Sequence, residues 1–260
     1  ADIPNPWFTP TFKHYAEYYF DAWADSKETN HLLSKIPNYM AIDDHEVVNN
    51  YANRKDKTKY KSGIEAYKVF QDSHNPISNV NGSIHYTFNK GNSSFFVMDA
   101  RLERDRNNGL MISMEQEQCL YRWLKAKNRD STFKFICSSV PFLTHLKHTE
   151  HDKWTSHYFI KQRNRILDFI AKNLIRNVVF LSADVHCSIV TDTKLYDRTG
   201  RVTTVSEIVS SPINQIQKGY FDDFRTNNYE DVSENVTAYT AIEEIFTDAS
   251  NIILVKVKGS

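Results

Sequence analysis

The 260-residue sequence predicts a layered α/β domain, and three observations carry the prediction. Helical and strand-like segments alternate through its middle, 113–127, 133–137, 163–174 and 177–183, which is the sequence form of crossover connections in a layered sheet. Two short acidic motifs that carry histidine, Asp43-Asp44-His45-Glu46 and Asp184-Val185-His186, each follow an apolar run that reads as a buried strand. Open α/β sheets assemble metal and phosphate sites at such strand ends, where rigid strands position the ligands and the loops keep them accessible. No internal repeat or low-complexity linker marks a boundary, so 1–260 reads as one domain of a size that a single core supports.

Residues 11–24 place Phe12, Tyr15, Tyr18, Tyr19 and Trp23 at helical spacing, and 31–33 continue helically toward Pro37. Tyr39-Met40-Ala41-Ile42 is expected as a short strand whose exit bears the first acidic motif, and 49–62, rich in Lys, Asn and Asp, as an exposed loop. Residues 63–72 read as a helix ended by His74-Asn75-Pro76, since proline disfavours helical geometry in the residue before it. The runs 84–88 and 94–98 flank the turn-like Asn89-Lys90-Gly91-Asn92 and are expected to pair antiparallel, with Asp99 and Arg101 at the exit. Ser113-x-x-Gln116 fits a capping box opening the helix 113–127. After the strand 133–137, residues 142–157 form a loop holding His145, His148, His151 and His157, and 163–174 is amphipathic through Ile166, Phe169, Ile170 and Leu174. The strand 177–183 leads into Asp184. Runs 189–195, 201–209 and 252–257 read as further strands, and the polar stretch 215–234 as a long surface loop.

Composition narrows the function classes. The 32 basic and 32 acidic residues cancel, so no net field recruits nucleic acid or an anionic membrane. Aromatic residues make up 13% of the chain, including 14 Tyr and 16 Phe, and predict an aromatic core. Cys119, Cys137 and Cys187 form no Cys-x-x-Cys pair and read as incidental thiols. No apolar run reaches the roughly 18 to 20 residues needed to cross a bilayer, and the start Ala1-Asp2-Ile3-Pro4-Asn5-Pro6 resembles no signal peptide. With only 7 glycines and no P-loop, nucleophile elbow or dinucleotide fingerprint, the serine hydrolase, nucleotide kinase and Rossmann classes lack their prerequisites.

Several side chains are candidates for chemistry. Asp44 can ligate a hard or borderline divalent metal, and His45 beside it can protonate a leaving oxygen. The same four residues also suit a helix N-terminus, where Asp caps and acids favour the first turn. Asn49 and Asn50 offer amide oxygens or a chain turn. Asp184 and His186 sit at alternate positions, so both leave one face if strand geometry persists, and they read equally as a solvated strand end. The reverse order, His-x-Asp, would be needed for the common iron-oxygenase triad. The four-histidine loop matches no compact zinc spacing and reads as solvated. Asp99 and Arg101 offer a phosphate-binding guanidinium fork or a structural ion pair.

Taken in order, these motifs resemble the alkaline phosphatase D (PhoD-like) family of metallophosphoesterases. The resemblance runs through Ile36-Pro37, Asp43-Asp44-His45-Glu46-Val47 with Asn49-Asn50, Met98-Asp99-Ala100-Arg101 with Arg104, 118–124, 138–141, Trp154 with Arg163, 181–186 and Ser210-Ser211-Pro212-Ile213. It implies a calcineurin-like sandwich of two mixed sheets flanked by helices, and hydrolysis of phosphate mono- or diesters at a centre of two or more metal ions. Iron and calcium are implied, with manganese or zinc as further options, and the setting implied is secreted or periplasmic. Carried over, Asp44, Asn50, Asp184 and His186 become metal ligands, His45 the acid or phosphate-stabilising group, and Arg101 a phosphate contact. Ala183 stands where the family has glycine. The family's Gly-Asp-x-x-Tyr-Ala-Asp block should precede the aromatic helix and is absent, so the resemblance implies a sandwich lacking its N-terminal strands. Those ligands would then come from a second chain or a longer one. The alternative is a catalytically silent fragment or subunit with a binding or scaffolding role.

Overall fold

The computed structural model describes residues 10–52, 60–78, 80–129, 133–147, 151–211, 224–247 and 250–258. Eight strands, β1 (Tyr86–Lys90), β2 (Ser93–Val97), β3 (Phe133–Cys137), β4 (Val178–Ser182), β5 (Ser188–Asp197), β6 (Val202–Ser210), β7 (Asn227–Ser233) and β8 (Val236–Thr247), form one mixed sheet. Their order is β1-β2-β3-β4-β6-β5-β8-β7. Strands β2, β3, β4 and β6 run parallel, while β1 and the β5, β8, β7 flank are antiparallel to their neighbours. The C-terminal ends of the four parallel strands therefore line one edge, the edge from which Asp99, Ser138, Asp184 and Ser211 emerge. That is where ligands bind in open α/β sheets.

One face of the sheet carries the main core. Phe96, Ile136, Phe180 and Val205 pack with Leu120 and Leu124 of α4 (Met114–Asn128) and with Ile166, Leu167 and Ile170 of α5 (Ile160–Lys172). Aromatic groups dominate this layer as composition predicts, with Trp154, Phe142, Phe159 and Phe180 all fully buried. Ser113 caps α4 by accepting from the Gln116 amide, but the reciprocal arm of the expected capping box comes from elsewhere. Glu103 accepts from the Ser113 N–H, which leaves the Gln116 side chain to bond both backbone groups of Asp99. The opposite face bears a cross-strand stack. Phe88, Phe95 and Phe135 lie in register, with ring centroids 4.4 and 4.9 Å apart, and Tyr39 stacks on Phe88; such pairs stabilise neighbouring strands.

Ahead of the sheet lie α1 (Phe12–Tyr19) with a π-helical continuation (Phe20–Ala24), α2 (Lys27–Lys35) and α3 (Lys61–Phe70). Gly63 on α3 sits where an added Cβ would lie 2.8 Å from the Tyr15 ring, so its missing side chain lets α1 and α3 approach closely.

Three sequence expectations need correction. Residues 39–42 form no strand, because the Asn75 side-chain amide brackets Met40, donating to its carbonyl and accepting from its N–H, while the Tyr86 hydroxyl donates to the same carbonyl. Those groups are satisfied without a ladder. The polar stretch 215–234 contains β7, an edge strand that needs few apolar residues and so looks like a loop in sequence; residues 215–223 of that expectation lie outside the described ones. Residues 252–257 are not a strand, and Ile252 and Leu254 are exposed. Of the two sheets that the resemblance implies, the described residues carry one.

Phe180 lies centrally in the core, stacked on Phe142 at 4.0 Å. Phe180→Ala should lower unfolding stability by about 3–5 kcal/mol in urea titrations; a loss below about 1 kcal/mol would contradict the placement of this side chain at the sheet–helix contact.

Candidate metal and phosphate site

The first acidic motif folds as a tight turn, and among the described residues no helix follows it before α3. The Asp44 carbonyl accepts from the Val47 and Val48 N–H groups, so the helix-cap alternative survives only as this single turn. The turn is pinned from below by the helices: the Tyr15 hydroxyl donates to the Val47 carbonyl, and Gln71 donates to Glu46, which in turn accepts from the Asp43 N–H. Asp44 is buried, and its carboxylate accepts from the His45 N–H and, at 2.6 Å, from the Asn50 N–H.

Across from this turn, Asp99 holds the exit of β2 by accepting from the N–H groups of Arg101 and Leu102. Arg101 is thereby aimed, fully buried, into a ring of carboxylates. Its Nε donates to Asp43 at 2.6 Å, and its terminal nitrogens lie 2.6 Å from Asp43, 3.8 Å from Asp44, 3.7 Å from Asp184 and 3.4 Å from Asp152. Lys153, also buried, bridges Asp152 at 2.9 Å and Asp184. Ligand oxygens of Asp43, Asp44 and Asp184 all lie within 4.8 Å of one another.

Electrostatics follow from this crowding. Burial, opposed by Arg101 and reinforced by Asp184 and Asp44, leaves the Asp43 carboxyl raised to about 7. Burial would raise Asp152 as well, but Lys153 and Arg101 hold it below the usual carboxylate range. Burial alone would lower Arg101 and Lys153, yet the surrounding carboxylates raise both. Three carboxylates with convergent oxygens, Asp44 buried and Asp43 and Asp184 partly so, suit a hard cation such as calcium or manganese better than zinc, whose common sites use nitrogen or sulfur. On chemistry of the donors the residues fit a metal ion.

Besides Leu174 and Asn177 after α5, the left-handed non-glycine residues among the described ones fall at this site. Asn50, Asp184 and His186 have φ of 58, 73 and 52°, a left-handed conformation that costs side-chain-bearing residues energy and clusters at functional sites. All three are residues nominated from sequence as metal ligands. The structure brings Asp44 and Asp184 together with Asp43, while Asn50 contacts Asp44 through its main chain, and the His186 N–H donates to the Ser211 hydroxyl at 3.0 Å. His45 is half-buried beside Asp44, and Arg101 directs its fork at carboxylates. Asp152 and Lys153 escape sequence reasoning, since an Asp-Lys pair between loop histidines carries no motif. Of those histidines, His145 packs between Glu230 and Arg163, His151 and His157 contact one another and Tyr158, and His148 lies outside the described residues. No histidine joins the carboxylate group among the described residues.

Comparison with known proteins bears on this geometry. The family model of PhoD-like phosphatases matches residues 6–255. Alkaline phosphatase D of Bacillus subtilis (strain 168) is 29% identical over 192 residues, covering 59% of this chain and 31% of that protein. A solved structure of PhoD superposes with a TM-score of 0.48 at 23% identity, over 65% of this chain and 38% of that one. The chain thus spans about a third of the length of the curated relative it matches. Among the described residues no helix is long and apolar enough to cross a membrane.

Two substitutions probe the site's construction. Burial, then Glu103, raises the Asp99 carboxyl from 3.8 to about 7. The folded state therefore binds this proton more tightly than the unfolded chain, and its stabilising contribution, full below the unfolded value, is lost as pH rises through about 7. Asp99→Asn keeps an oxygen for Arg101 and Leu102 and should be more stable than wild type by on the order of 1–2 kcal/mol near pH 8, with no gain near pH 4; equal urea midpoint shifts at both would refute this. Asn50→Gly relaxes a left-handed residue and should stabilise by about 0.5–1 kcal/mol while keeping the main-chain bond to Asp44. Unchanged metal affinity in that variant would remove the Asn50 side chain from the ligand set.

Proposed function

Since the chain belongs to the PhoD-like phosphatase family, we propose that it forms part of a metal-dependent centre that hydrolyses phosphate mono- or diesters. The observation that carries this reading is the convergence of Asp43, Asp44 and Asp184, more than a hundred positions apart in sequence, at the C-terminal edge of the parallel strands. In this proposal Asp44 and Asp184 hold the metal, Asp43 adds a third oxygen, and Asn50 and His186 are further ligands on the same two turns. Calcium and iron are the ions that the family resemblance implies, and the all-oxygen group favours calcium for this half of the centre. Bound ions would neutralise charge on the phosphoryl oxygens and lower the pKa of a coordinated water.

The chain's own groups then divide the remaining work. His45, beside Asp44 at the mouth of the turn, is the group proposed to give a proton to the leaving oxygen. Arg101 and Lys153 set the spacing of the carboxylates and balance their charge, so that Arg101 acts on the phosphate through them. The sheet described above would be one layer of the calcineurin-like sandwich, with the second layer against the Phe88, Phe95 and Phe135 face. Because the chain spans about a third of its curated relative, the remaining strands and ligands are assigned to residues outside it, on a longer polypeptide or a second chain.

The experiment is metal analysis paired with hydrolysis of bis-p-nitrophenyl phosphate and p-nitrophenyl phosphate, on this chain and on a version extended to its relative's length. Asp184→Ala should reduce turnover by about 100-fold or more and lower the bound metal, and a chelator should do the same. Normal folding with neither metal nor turnover in both versions would replace the phosphatase reading with a silent binding or scaffolding one.

A further inference from the structure

Glu207 lies on β6 opposite Phe180 of β4, fully buried in the sheet, and its five hydrogen-bond donors are all neutral. Oε1 accepts from the Phe142 N–H at 2.6 Å and the Ser182 hydroxyl at 2.8 Å. Oε2 accepts from the Leu143 N–H at 2.9 Å and from both the N–H and hydroxyl of Thr144 at 2.8 Å. These five donors satisfy both carboxylate oxygens in place of water. Burying a carboxylate is nonetheless costly, and a fold that needed only packing here would place an apolar residue.

The donors show what the carboxylate holds. Ser182 ends β4 two residues before Asp184. The loop of Phe142, Leu143 and Thr144 supports the segment bearing Asp152 and Lys153: the Phe142 ring packs on Trp154 at 4.9 Å, the Thr155 hydroxyl donates to the Thr144 carbonyl, and Trp154 is anchored by the Ser138 hydroxyl. Each half of the Lys153–Asp184 ion pair therefore rests on a strut that ends at one carboxylate. We infer that Glu207 is the positioning residue of the site, fixing the Asp184 turn relative to the Lys153 loop. Its bearing on catalysis rests on the phosphatase reading, whereas its hold on the ion pair does not. Glutamine at this position would turn an N–H toward donors that need an acceptor and release at least one strut.

The test is acylation of lysines by an amine-reactive reagent, mapped by peptide mass, in wild type and Glu207→Gln. Lys134 is the internal reference, since it is fully buried with its Nζ donating to the Arg176 carbonyl at 2.9 Å, and it lies beside Val178 at the start of β3 and β4, at the other end of these strands from Ser182. Lys153 labelling should rise about tenfold while Lys134 stays protected. No change at Lys153, or a parallel rise at both lysines, would overturn the inference, the second because it reports general unfolding. Calcium titration by calorimetry is the second readout and should show about tenfold weaker binding in the variant. If wild-type protein takes up no calcium, the assignment of calcium to this part of the centre fails, and the labelling ratio still decides the role of Glu207. Should Glu207→Gln fail to fold, Ser182→Ala removes the strut from β4 and should raise Lys153 labelling about threefold, with Lys134 again unmoved.

Discussion

A guanidinium without solvent contact has lost its water, and Arg101 replaces it with four carboxylates within 4 Å. Those four come from three separate stretches: the turn after residue 42, the loop before α5 and the exit of β4. Removing one partner of such a pair typically costs about 3–5 kcal/mol, because a buried charge is left uncompensated. The helices ahead of the sheet and the sheet itself are thus tied together through one side chain. Arg104, equally buried, shows the reverse outcome: burial and then the charge of Arg101 push it down to about 9, and its Nε bonds a neutral carbonyl, Ala100. Position relative to the carboxylates, not depth alone, separates the two arginines.

The parallel half of the sheet was readable from sequence because β2, β3 and β4 are apolar runs separated by helical segments, and β6 alternates in burial along its length. The antiparallel flank was readable only in part. β5 alternates clearly, but β7 is polar on both sides as an edge strand, and β8 was passed over beside it. For the site, Asp44 and Asp184 could be nominated because short acidic motifs followed apolar runs. Asp152 and Lys153 could not, since only the three-dimensional path of their loop brings them to Asp184. The expected strand 39–42 failed for a local reason, the Asn75 amide, which no periodicity reports.

One departure from the family pattern loses its force in three dimensions. Ala183 replaces the family's usual glycine before Asp184, yet the left-handed residues of this turn are Asp184 and His186, not Ala183. An added methyl group there meets no conformational penalty of the kind glycine relieves. The energetic cost of the turn is carried by the two residues that have chemistry to perform.

The strand order also divides the chain by the time at which its contacts can form. β5 with β6 and β7 with β8 are joined by short links and close small loops, whereas β2 meets β3 and β3 meets β4 only after intervening helices have been threaded. Loop closure of the second kind is slower, and the contact between Arg101 and Asp43 spans 58 positions. During folding the antiparallel flank can exist before the carboxylate ring does. A partly folded molecule, or one clipped between the two halves, would retain much of its β-structure and circular dichroism while possessing no site, so secondary structure alone is a poor proxy for competence in this protein.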